Sequence, residues 1–428
     1  MATFPHLGGF ESTQIFGSGQ DVLGTTRHIE LWKQDLTRLR ESGITTLRYS
    51  APWHRIERTR GHFDWSWMDG PLAFMRDNGM QPILDPLHHT SFPEWLTGGF
   101  LHPNFPALYR DFLCKLSSRY PFIRSYTVFN EPLPTTLFCS YTGMWYPHAA
   151  SDKAFVRMAL QVARAICYGC DVLQRNVSPL FVHVDTAEHH QSLDERSLQW
   201  AQFVNARRFL MTDLILGRVT EQHELYRYVR RHGASKADLN WFQANPATIH
   251  VLGLDYYLHS EMDWAWSPEK GKPDKTDFVR AARGFASIAG DYVARYRSPI
   301  MLSETNIVGT VQERIAWLRF MEQECERLVL SGVDFRGFCW YPSIDTTDWS
   351  NACTRLTGKL DPQGVWSLHP DTLERLDTEL SAIYSLRARG QIRLANLPAY
   401  SFGQQLRKRL GGYKDLLTVA DAAEKLAS

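Results

Sequence analysis

The sequence predicts an α/β protein built as a single (β/α)8 barrel with elaborated βα loops. Short apolar, β-rich segments alternate with helix-length amphipathic stretches, which indicates βαβ units and a parallel sheet. Eight such units fit within the 428 residues, and polar and aromatic residues gather just after the strands, as at the carboxyl face of a barrel. A doubly wound sheet is the structural alternative, but its glycine-rich phosphate loop is missing, because Gly17-Ser18-Gly19 is too short and wrongly placed.

The predicted strands are short runs of apolar, aromatic and β-branched residues. In chain order they span residues 7–10, 46–49, 81–85, 125–129, 180–184, 249–254, 300–303 and 337–341. Amphipathic periodicity predicts helices between them, over residues 29–42, 68–78, 105–120, 152–176, 278–296 and 311–331. Long loops rich in aromatic residues follow strands 3, 4 and 6, and rings of this kind suit sugar faces as well as plain loop packing.

Composition favours a folded globular protein and gives no sign of a nucleic-acid or anionic-membrane partner. The net charge is +1, with 44% hydrophobic and 22% charged residues. No apolar run approaches the ~20 residues of a membrane span, and residues 1–5 lack the pattern of a signal peptide. Seven cysteines, an odd number scattered along the chain, fit reduced thiols. We therefore expect a cytoplasmic protein.

Two clusters have the residue types of a metal site, and Cys167 and Cys170 also have a metal-like spacing, but neither cluster completes a site. Cys167 and Cys170 follow a helical stretch and lack a second ligand pair. The acids and histidines after strand 5 show no ligand spacing and are better explained as a polar loop lining a cleft: Asp185, Glu188, His189 and His190. We expect neither a metal nor an organic cofactor.

The most informative motif is Thr-Val-Phe-Asn-Glu-Pro at residues 127–132. It places Asn130 and Glu131 at the tip of strand 4, where Pro132 ends the pairing. A carboxylate at the carboxyl tip of a barrel strand projects into the mouth of the barrel, and partial burial there raises its pKa. Glu131 is therefore a candidate proton donor.

A second acid repeats this pattern at the tip of strand 7, in Met-Leu-Ser-Glu-Thr-Asn at residues 301–306. In a closed barrel the ends of strands 4 and 7 lie across the mouth from each other, so Glu131 and Glu304 can converge. Two carboxylates flanking a cleft carry out glycoside hydrolysis, one as acid and the other as nucleophile or base. A nucleophile must stay ionised, and Arg48 and Tyr257 at the ends of strands 2 and 6 are candidate partners.

The order of these motifs resembles glycoside hydrolase family 1, the retaining β-glycosidases with acids on strands 4 and 7. The similarity covers residues 7 to 385, and its motifs fall in six collinear segments: 47–56, 61–69, 89–96, 127–132, 253–257 and 337–349. The resemblance implies that Glu131 is the acid/base and Glu304 the nucleophile. It also implies sugar-binding or nucleophile-contacting roles for these residues: Asn130, His89, Arg48, Tyr257, Trp340, Asp348 and Trp349.

Departures from the family pattern concern the sugar more than the catalytic pair. The usual Thr-Glu-Asn-Gly is replaced around Glu304 by Ser-Glu-Thr-Asn, and Asp255 stands where the family has asparagine. Asp348 replaces a glutamate of the family's sugar clamp, so its carboxylate reaches one methylene less far. The family's strand-1 glutamine corresponds to either Glu11 or Gln14. We expect a divergent branch of this family, and the sequence leaves the identity of its sugar open.

The barrel pattern ends near residue 386, so we predict a barrel over 1–386 and an extension over 387–428. The extension is basic and has a helix-like stretch at 415–427. It is expected to pack on the outside of the barrel or, less favoured, to bind a partner.

The predicted function is a retaining β-glycosidase acting on carbohydrate through a covalent glycosyl-enzyme. One alternative is a transglycosidase, in which an acceptor replaces water. Another is a carbohydrate-binding pseudoenzyme or docking barrel, which the presence of both acids together with Asn130 and Arg48 disfavours. The oligomeric state stays open.

Overall fold

A computed structural model describes residues 4–276 and 282–400 of the chain, and in it eight parallel strands form a closed barrel. Each strand pairs with its neighbours in sequence, and the first closes onto the last. The strands are β1 His6–Gly9, β2 Thr46–Ser50, β3 Gln81–Asp85, β4 Ser125–Tyr126, β5 Leu180–Thr186, β6 Val251–Asp255, β7 Ile300–Glu304 and β8 Phe335–Cys339. The predicted (β/α)8 barrel is confirmed.

Helices follow the strands and form the outer layer. The described α-helices are Val22–Thr25, His28–Glu41, Trp53–Ile56, Ser66–Asp77, Phe105–Arg119, Pro132–Ser140, Asp152–Asn176, Leu198–Arg207, Leu210–Ile215, Tyr226–Arg231, Lys236–Ala244, Phe285–Tyr296, Val311–Leu330 and Glu379–Ala388. The predicted helix over 278–296 begins at Phe285, and residue 278 lies outside the described residues.

The barrel interior is filled by side chains rather than open. A compact apolar cluster is made of Leu7, Ile83, Val182, Val184, Met301, Cys339 and Tyr341, all of which lie in barrel strands except Tyr341, two residues beyond β8. This plug gives the carboxyl end of the barrel a closed floor, so the cleft above it is shaped by strand ends and loops.

The fourth strand is shorter than predicted. Regular pairing covers only Ser125–Tyr126, whereas residues 125–129 were expected to be a strand. Beyond it, the backbone N–H of Thr127 still donates to Leu84 O at 2.9 Å, and Asn130 forms an isolated bridge with His88. The chain leaves the regular ladder here because it must turn into the helix Pro132–Ser140, and the tip of β4 is held by single hydrogen bonds.

A small sheet outside the barrel forms one wall above its carboxyl face. Its strands His189–Ser192, Glu261–Ser267 and Lys272–Lys275 come from the segments after β5 and β6. The shared sheet joins these two segments.

The described part of the predicted extension packs on the barrel. The helix Glu379–Ala388 crosses the predicted boundary at residue 386, and the buried Arg387 pairs with Glu322 of the outer layer. Farther on, the ring of Tyr400 contacts that of Trp317 at 5.1 Å. The predicted helix at 415–427 lies outside the described residues.

Among residues 4–276 and 282–400, none of the helices combines the length and the apolar character needed to span a membrane.

Candidate active site

Glu131 lies at the turn from β4 into the helix Pro132–Ser140. Its backbone has φ +45° and ψ 63°, a left-handed conformation that a residue with a side chain adopts at a cost. Two hydrogen bonds hold this turn: Glu131 N–H donates to Val184 O at 3.1 Å, and Asn130 N–H donates to Leu87 O at 3.0 Å. The conformation directs a mostly buried carboxyl group, 8% exposed, into the cleft that it lines.

Glu304 ends β7 and is held through both carboxylate oxygens. Arg48, from β2, donates Nη1–H to Oε1, and Tyr257, just after β6, donates its hydroxyl to Oε2 at 2.7 Å. Hydrogen bonds to the charged form favour ionisation, so these donors suit a carboxylate that must act as a nucleophile. Strand alternation places Tyr256 elsewhere, where its hydroxyl donates to Glu261.

Three carboxyl groups come together at the inner end of the cleft, where Glu131 and Glu304 line the surface and Asp255 is fully buried. One oxygen each from Glu131, Asp255 and Glu304 lies within 4.8 Å of the others. Burial raises the pKa of Glu131 well above its usual value, and the charges of Glu304 and Asp255 raise it further. Burial and Glu304 likewise raise the pKa of Asp255. Each of these two acids therefore keeps its proton to a higher pH than an exposed carboxyl group does, and ionisation of Asp255 raises the pKa of Glu131 further.

Three carboxylates at this spacing also resemble a cation site, and the surrounding donors argue against that interpretation. Both oxygens of Glu304 already accept hydrogen bonds, one of them from a guanidinium. Arg48 is buried and brings a fixed positive charge to the cluster, because its pKa is raised well above its usual value by Glu304 and Asp255 despite burial. A second cation would be repelled there.

Behind Glu304 lies a buried network of charges that positions Arg48. The Nη2 group of Arg48 donates to Asn130 Oδ1 and, at 3.4 Å, to Asp85 Oδ2. His88 bridges Asp85, at 2.7 Å, and Glu11, at 3.2 Å. Burial opposes protonation of His88, but the two carboxylates outweigh it and raise the pKa of His88 to about 10. Burial also opposes ionisation of Glu11, whose pKa His88 nevertheless lowers to about 2.

His89 lines the cleft beside the acid. Its Nε2 lies 3.7 Å from Glu131 Oε2, and its Nδ1 is 2.9 Å from Thr135 Oγ1. Burial lowers the pKa of His89 well below its usual value, and the charge of His88 lowers it further. The imidazole is therefore neutral and is a hydrogen-bonding group for a ligand.

The cleft is a cavity of about 350 Å³ that reaches from the acids outward between the loops after β4, β5 and β6. Of the predicted site residues, it is lined by Glu131, Glu304, His89, Tyr257 and Trp349. The indole Nε1 of Trp349 is buried without a hydrogen-bond partner, which leaves a donor at the wall of the cleft. Glu11, Asn306 and Gln363 add polar groups to the same lining.

Arg48 and Asn130 lie behind this surface rather than in it. Both are buried, and they reach the cleft through Glu304, which Arg48 contacts directly.

The structure places two predicted sugar ligands, Trp340 and Asp348, outside the lining of the cleft. Trp340 is fully buried, and its indole N–H donates to Gln363 O at 2.9 Å. The carboxylate of Asp348 accepts hydrogen bonds from the backbone N–H groups of Thr357 and Gly358, each at 2.9 Å, and so holds its own loop.

Between the two strand-1 candidates, the structure favours Glu11. Glu11 lines the cleft, whereas Gln14 does not, and the N–H of Gln14 donates to Ser91.

The residues that sequence reasoning missed are Asp85, His88 and the polar lining residues Asn306 and Gln363. Asp85 contacts Arg48 and His88 contacts Glu11, each from the end of another strand. No local sequence pattern marks such partners. The family resemblance that singled out His89 gave its neighbour His88 no role. Glu188 and His190 line the outer part of the cleft, as the polar-loop interpretation predicts.

We expect Tyr257→Phe to lower kcat by about 10- to 100-fold, because it removes one of the two hydrogen bonds that Glu304 accepts. KM should change less, since the ring that lines the cleft is kept. Steady-state kinetics separate the two, and an unchanged kcat would exclude a role for the hydroxyl. Tyr256→Phe, which removes the neighbouring hydroxyl outside the cleft, is the matched control.

We expect Asp255→Asn, which restores the residue type of the resembled family, to move the basic limb of the pH profile of kcat/KM to lower pH. That limb follows deprotonation of Glu131, whose pKa Asp255 helps to raise. Because the folded-state pKa of Asp255 is itself raised, its contribution to stability is full at low pH and is lost as pH rises. Thermal unfolding should therefore show Asp255→Asn gaining stability over the parent at alkaline pH. A pH profile that stays in place would contradict this coupling.

Comparison with known proteins links the chain to enzymes named for acting on galactosides and glucosides. The Glyco_hydro_42 β-galactosidase family model matches residues 25–108. A β-galactosidase (BgaH) of Haloferax lucentense is 32% identical over 104 residues, which is 24% of this chain and 15% of that protein. A chloroplastic galactolipid galactosyltransferase (SFR2) of Arabidopsis thaliana is 29% identical over 123 residues, 25% of this chain and 19% of that protein. The chain therefore spans less than a fifth of the length of these curated relatives.

Similarity of structure covers a much larger share of the chain. A family 1 β-glucosidase from Thermotoga maritima has a TM-score of 0.75 and 16% identity, over 91% of this chain and 98% of the other. The β-glucosidase from the same organism in complex with deoxynojirimycin gives a TM-score of 0.76 at 15% identity, over the same shares of both chains. The chain thus has the barrel fold of a family 1 β-glucosidase, together with a segment that matches a β-galactosidase family.

Proposed function

We propose that this protein is a retaining β-glycosidase. The observation that carries the proposal is the pair Glu131 and Glu304, whose carboxylate oxygens lie within 4.8 Å of each other at the ends of β4 and β7. Retaining enzymes hold their two carboxyl groups ~5–5.5 Å apart, whereas inverting enzymes need ~6.5–9.5 Å to admit a water. The short separation supports retention.

The environments of the two acids differ in the direction that the mechanism requires. Burial and neighbouring charges raise the pKa of Glu131, so it starts protonated and donates to the leaving oxygen. Glu304 faces Arg48 and Tyr257 and attacks the anomeric carbon as a carboxylate. Glu131 then accepts a proton from the incoming water, and the glycosyl-enzyme is hydrolysed.

Sugar binding is assigned to polar groups around this pair. His89 and Glu11 stand at one side of the cleft, and the unpartnered Nε1–H of Trp349 supplies a donor for a sugar hydroxyl. Asn130 acts in this proposal by holding Arg48 through its Oδ1 atom. No cofactor is needed, because the two carboxyl groups supply both the proton and the nucleophile.

The identity of the sugar is an open part of the proposal, and galactose and glucose are its first candidates. Several of the curated relatives are named as β-galactosidases, and the similar structures reported above are β-glucosidases. A panel of 4-nitrophenyl β-glycosides tests both, with fucoside, xyloside, mannoside and glucuronide included. Release of nitrophenol from one of them, with β-sugar as the first product by NMR, is the expected result. A first product with the α configuration would contradict retention.

Transfer to an acceptor other than water is a second candidate function, and two observations favour it. One is the segment similar to the galactolipid galactosyltransferase. The other is the set of apolar groups that line the cleft beside Glu131, among them Leu137, Phe138 and Met144. An apolar acceptor site favours the binding of an apolar acceptor over the binding of water. The ratio of transfer product to free sugar, measured with and without an added glycoside acceptor, decides between the two.

A further inference from the structure

The cleft does not end at the catalytic pair but continues into a second region, which we term the outer pocket. The outer pocket is formed by Tyr141, Glu188, Trp200, Arg207, Trp264 and Lys275. It lies between the helix Leu198–Arg207 and the small sheet outside the barrel. The mechanism of the proposed function uses none of these residues.

Arg207 is the unusual member of the outer pocket. It is only 9% exposed, and its Nη1 atom is buried without a hydrogen-bond partner. Aromatic rings surround the guanidinium, with Cζ 4.9 Å from the Tyr141 ring centroid, 5.5 Å from Phe203 and 6.0 Å from Trp200. The rings contact the faces of the guanidinium but accept no in-plane hydrogen bond from Nη1, so the group retains an unused donor.

A second donor without a partner lies in the same wall. The indole Nε1 of Trp200 is also buried and unbonded, and its ring packs 5.5 Å from that of Trp264. Buried N–H groups are costly unless an acceptor satisfies them. Two such donors in one pocket indicate a ligand that brings acceptor atoms.

The charges of the outer pocket indicate which kind of acceptor fits. Glu188 is already engaged by Thr186 and, at 3.1 Å, by His190. Burial opposes ionisation of Glu188, but His190, Arg207 and Lys275 outweigh it and lower its pKa to about 2. Glu188 is therefore a fixed anion whose two oxygens are engaged by Thr186 and His190, and the Nη1 group of Arg207 still has no acceptor.

We propose that the outer pocket binds a carboxylate carried by an aromatic aglycone. The aromatic and apolar walls leading from Glu131 suit a planar ring, and a guanidinium with an adjacent N–H matches a carboxylate better than a compact dianion. The assignment of this ligand as an aglycone rests on the proposed glycosidase function, since the outer pocket lies on the leaving-group side of that mechanism.

The test compares 4-carboxyphenyl and 4-carbamoylphenyl β-glycosides of the sugar that the panel identifies. The ratio of their kcat/KM values is measured for the parent and for Arg207→Gln, so that differences in leaving-group reactivity cancel. We expect the parent ratio to fall by about 10- to 100-fold in Arg207→Gln, the worth of one charged hydrogen bond. Equal ratios in parent and variant would overturn the proposal.

Controls separate recognition from folding. Trp200→Phe keeps an aromatic ring at this position but removes the indole N–H together with the five-membered ring. It should lower the ratio while the protein stays folded, and it takes the place of Arg207→Gln if that variant is unfolded. Arg196→Gln removes an exposed arginine stacked 4.0 Å over Trp266, outside the cleft lining, and should leave the ratio unchanged. A fall in the ratio with Arg196→Gln equal to that with Arg207→Gln would show a general charge effect and contradict the subsite.

Calorimetry with free 4-hydroxybenzoate and 4-hydroxybenzamide makes the two proposals separable. Binding of the benzoate by the parent but not by Arg207→Gln supports the subsite even if no glycoside is cleaved, in which case the glycosidase proposal alone fails. Cleavage of glycosides with equal binding of the two compounds overturns the subsite alone.

Discussion

Glu304→Gln is expected to abolish glycoside hydrolysis, with a loss of at least about 10³-fold in kcat for every substrate. The amide cannot form the glycosyl-enzyme, and Asp255 is not placed to replace the nucleophile, because it is fully buried outside the cleft lining and burial favours its protonated form. Arg48 can still donate to the amide oxygen, and the Tyr257 hydroxyl can accept from the amide N–H in place of donating, so the fold should be retained. Stopped assays with the most reactive aryl glycoside measure the loss.

A matched control distinguishes lost chemistry from lost structure. Glu57 is also buried and hydrogen-bonded, to Trp53 at 2.7 Å and to the N–H of Gly61 at 2.8 Å, but it lies outside the cleft lining. Glu57→Gln should therefore keep near-parent turnover. If Glu304→Gln retained turnover close to that of Glu57→Gln, Glu304 would not be the nucleophile.

Glu131→Gln is expected to give a loss that depends on the leaving group. An alkyl or sugar leaving group needs the proton of Glu131, so kcat/KM should fall by about 10²- to 10⁴-fold. A dinitrophenolate leaves without protonation, so its kcat/KM should fall far less, while the second step slows because water has lost its base. A burst of dinitrophenol followed by slow turnover is the expected trace.

The pH profile provides a second readout for the same residue. With a leaving group that needs protonation, the parent should lose activity as pH rises through the raised pKa of Glu131. For the dinitrophenyl glycoside, the kcat/KM of Glu131→Gln should lack that basic limb. An equal loss for all leaving groups, with the limb intact, would contradict the acid/base assignment.

The barrel and the positions of the two acids were accessible from sequence because each depends on local pattern. The pattern of strands indicated which residues end a strand. The resemblance of residues 253–257 to the family motif pointed to Tyr257 as the residue that contacts the nucleophile, and Tyr257 donates a hydrogen bond to Glu304. The same reasoning extended β4 too far, since the left-handed turn at Glu131 takes the backbone out of the regular ladder.

Trp340 and Asp348 could not be placed in this way, because the loop path that follows β8 is determined by tertiary contacts. Asp348 is held by backbone N–H groups that follow it by about ten positions in the chain, and Trp340 by a carbonyl 23 positions away. His88 was missed for a related reason, since its role depends on Glu11 and Asp85, which belong to different strand ends. Motif matching locates the reacting groups but not the residues that hold them.

Trapping the glycosyl-enzyme tests the central claim most directly. A 2-deoxy-2-fluoro β-glycoside with a dinitrophenolate leaving group, of the preferred sugar, should slow the second step and leave the fluorosugar attached to the protein. Intact mass followed by peptide mapping should find one added fluoroglycosyl group, on Glu304, and none on Glu304→Gln. Turnover of glycosides with no adduct, or an adduct on another residue, would contradict the assignment of Glu304 and the mechanism built on it.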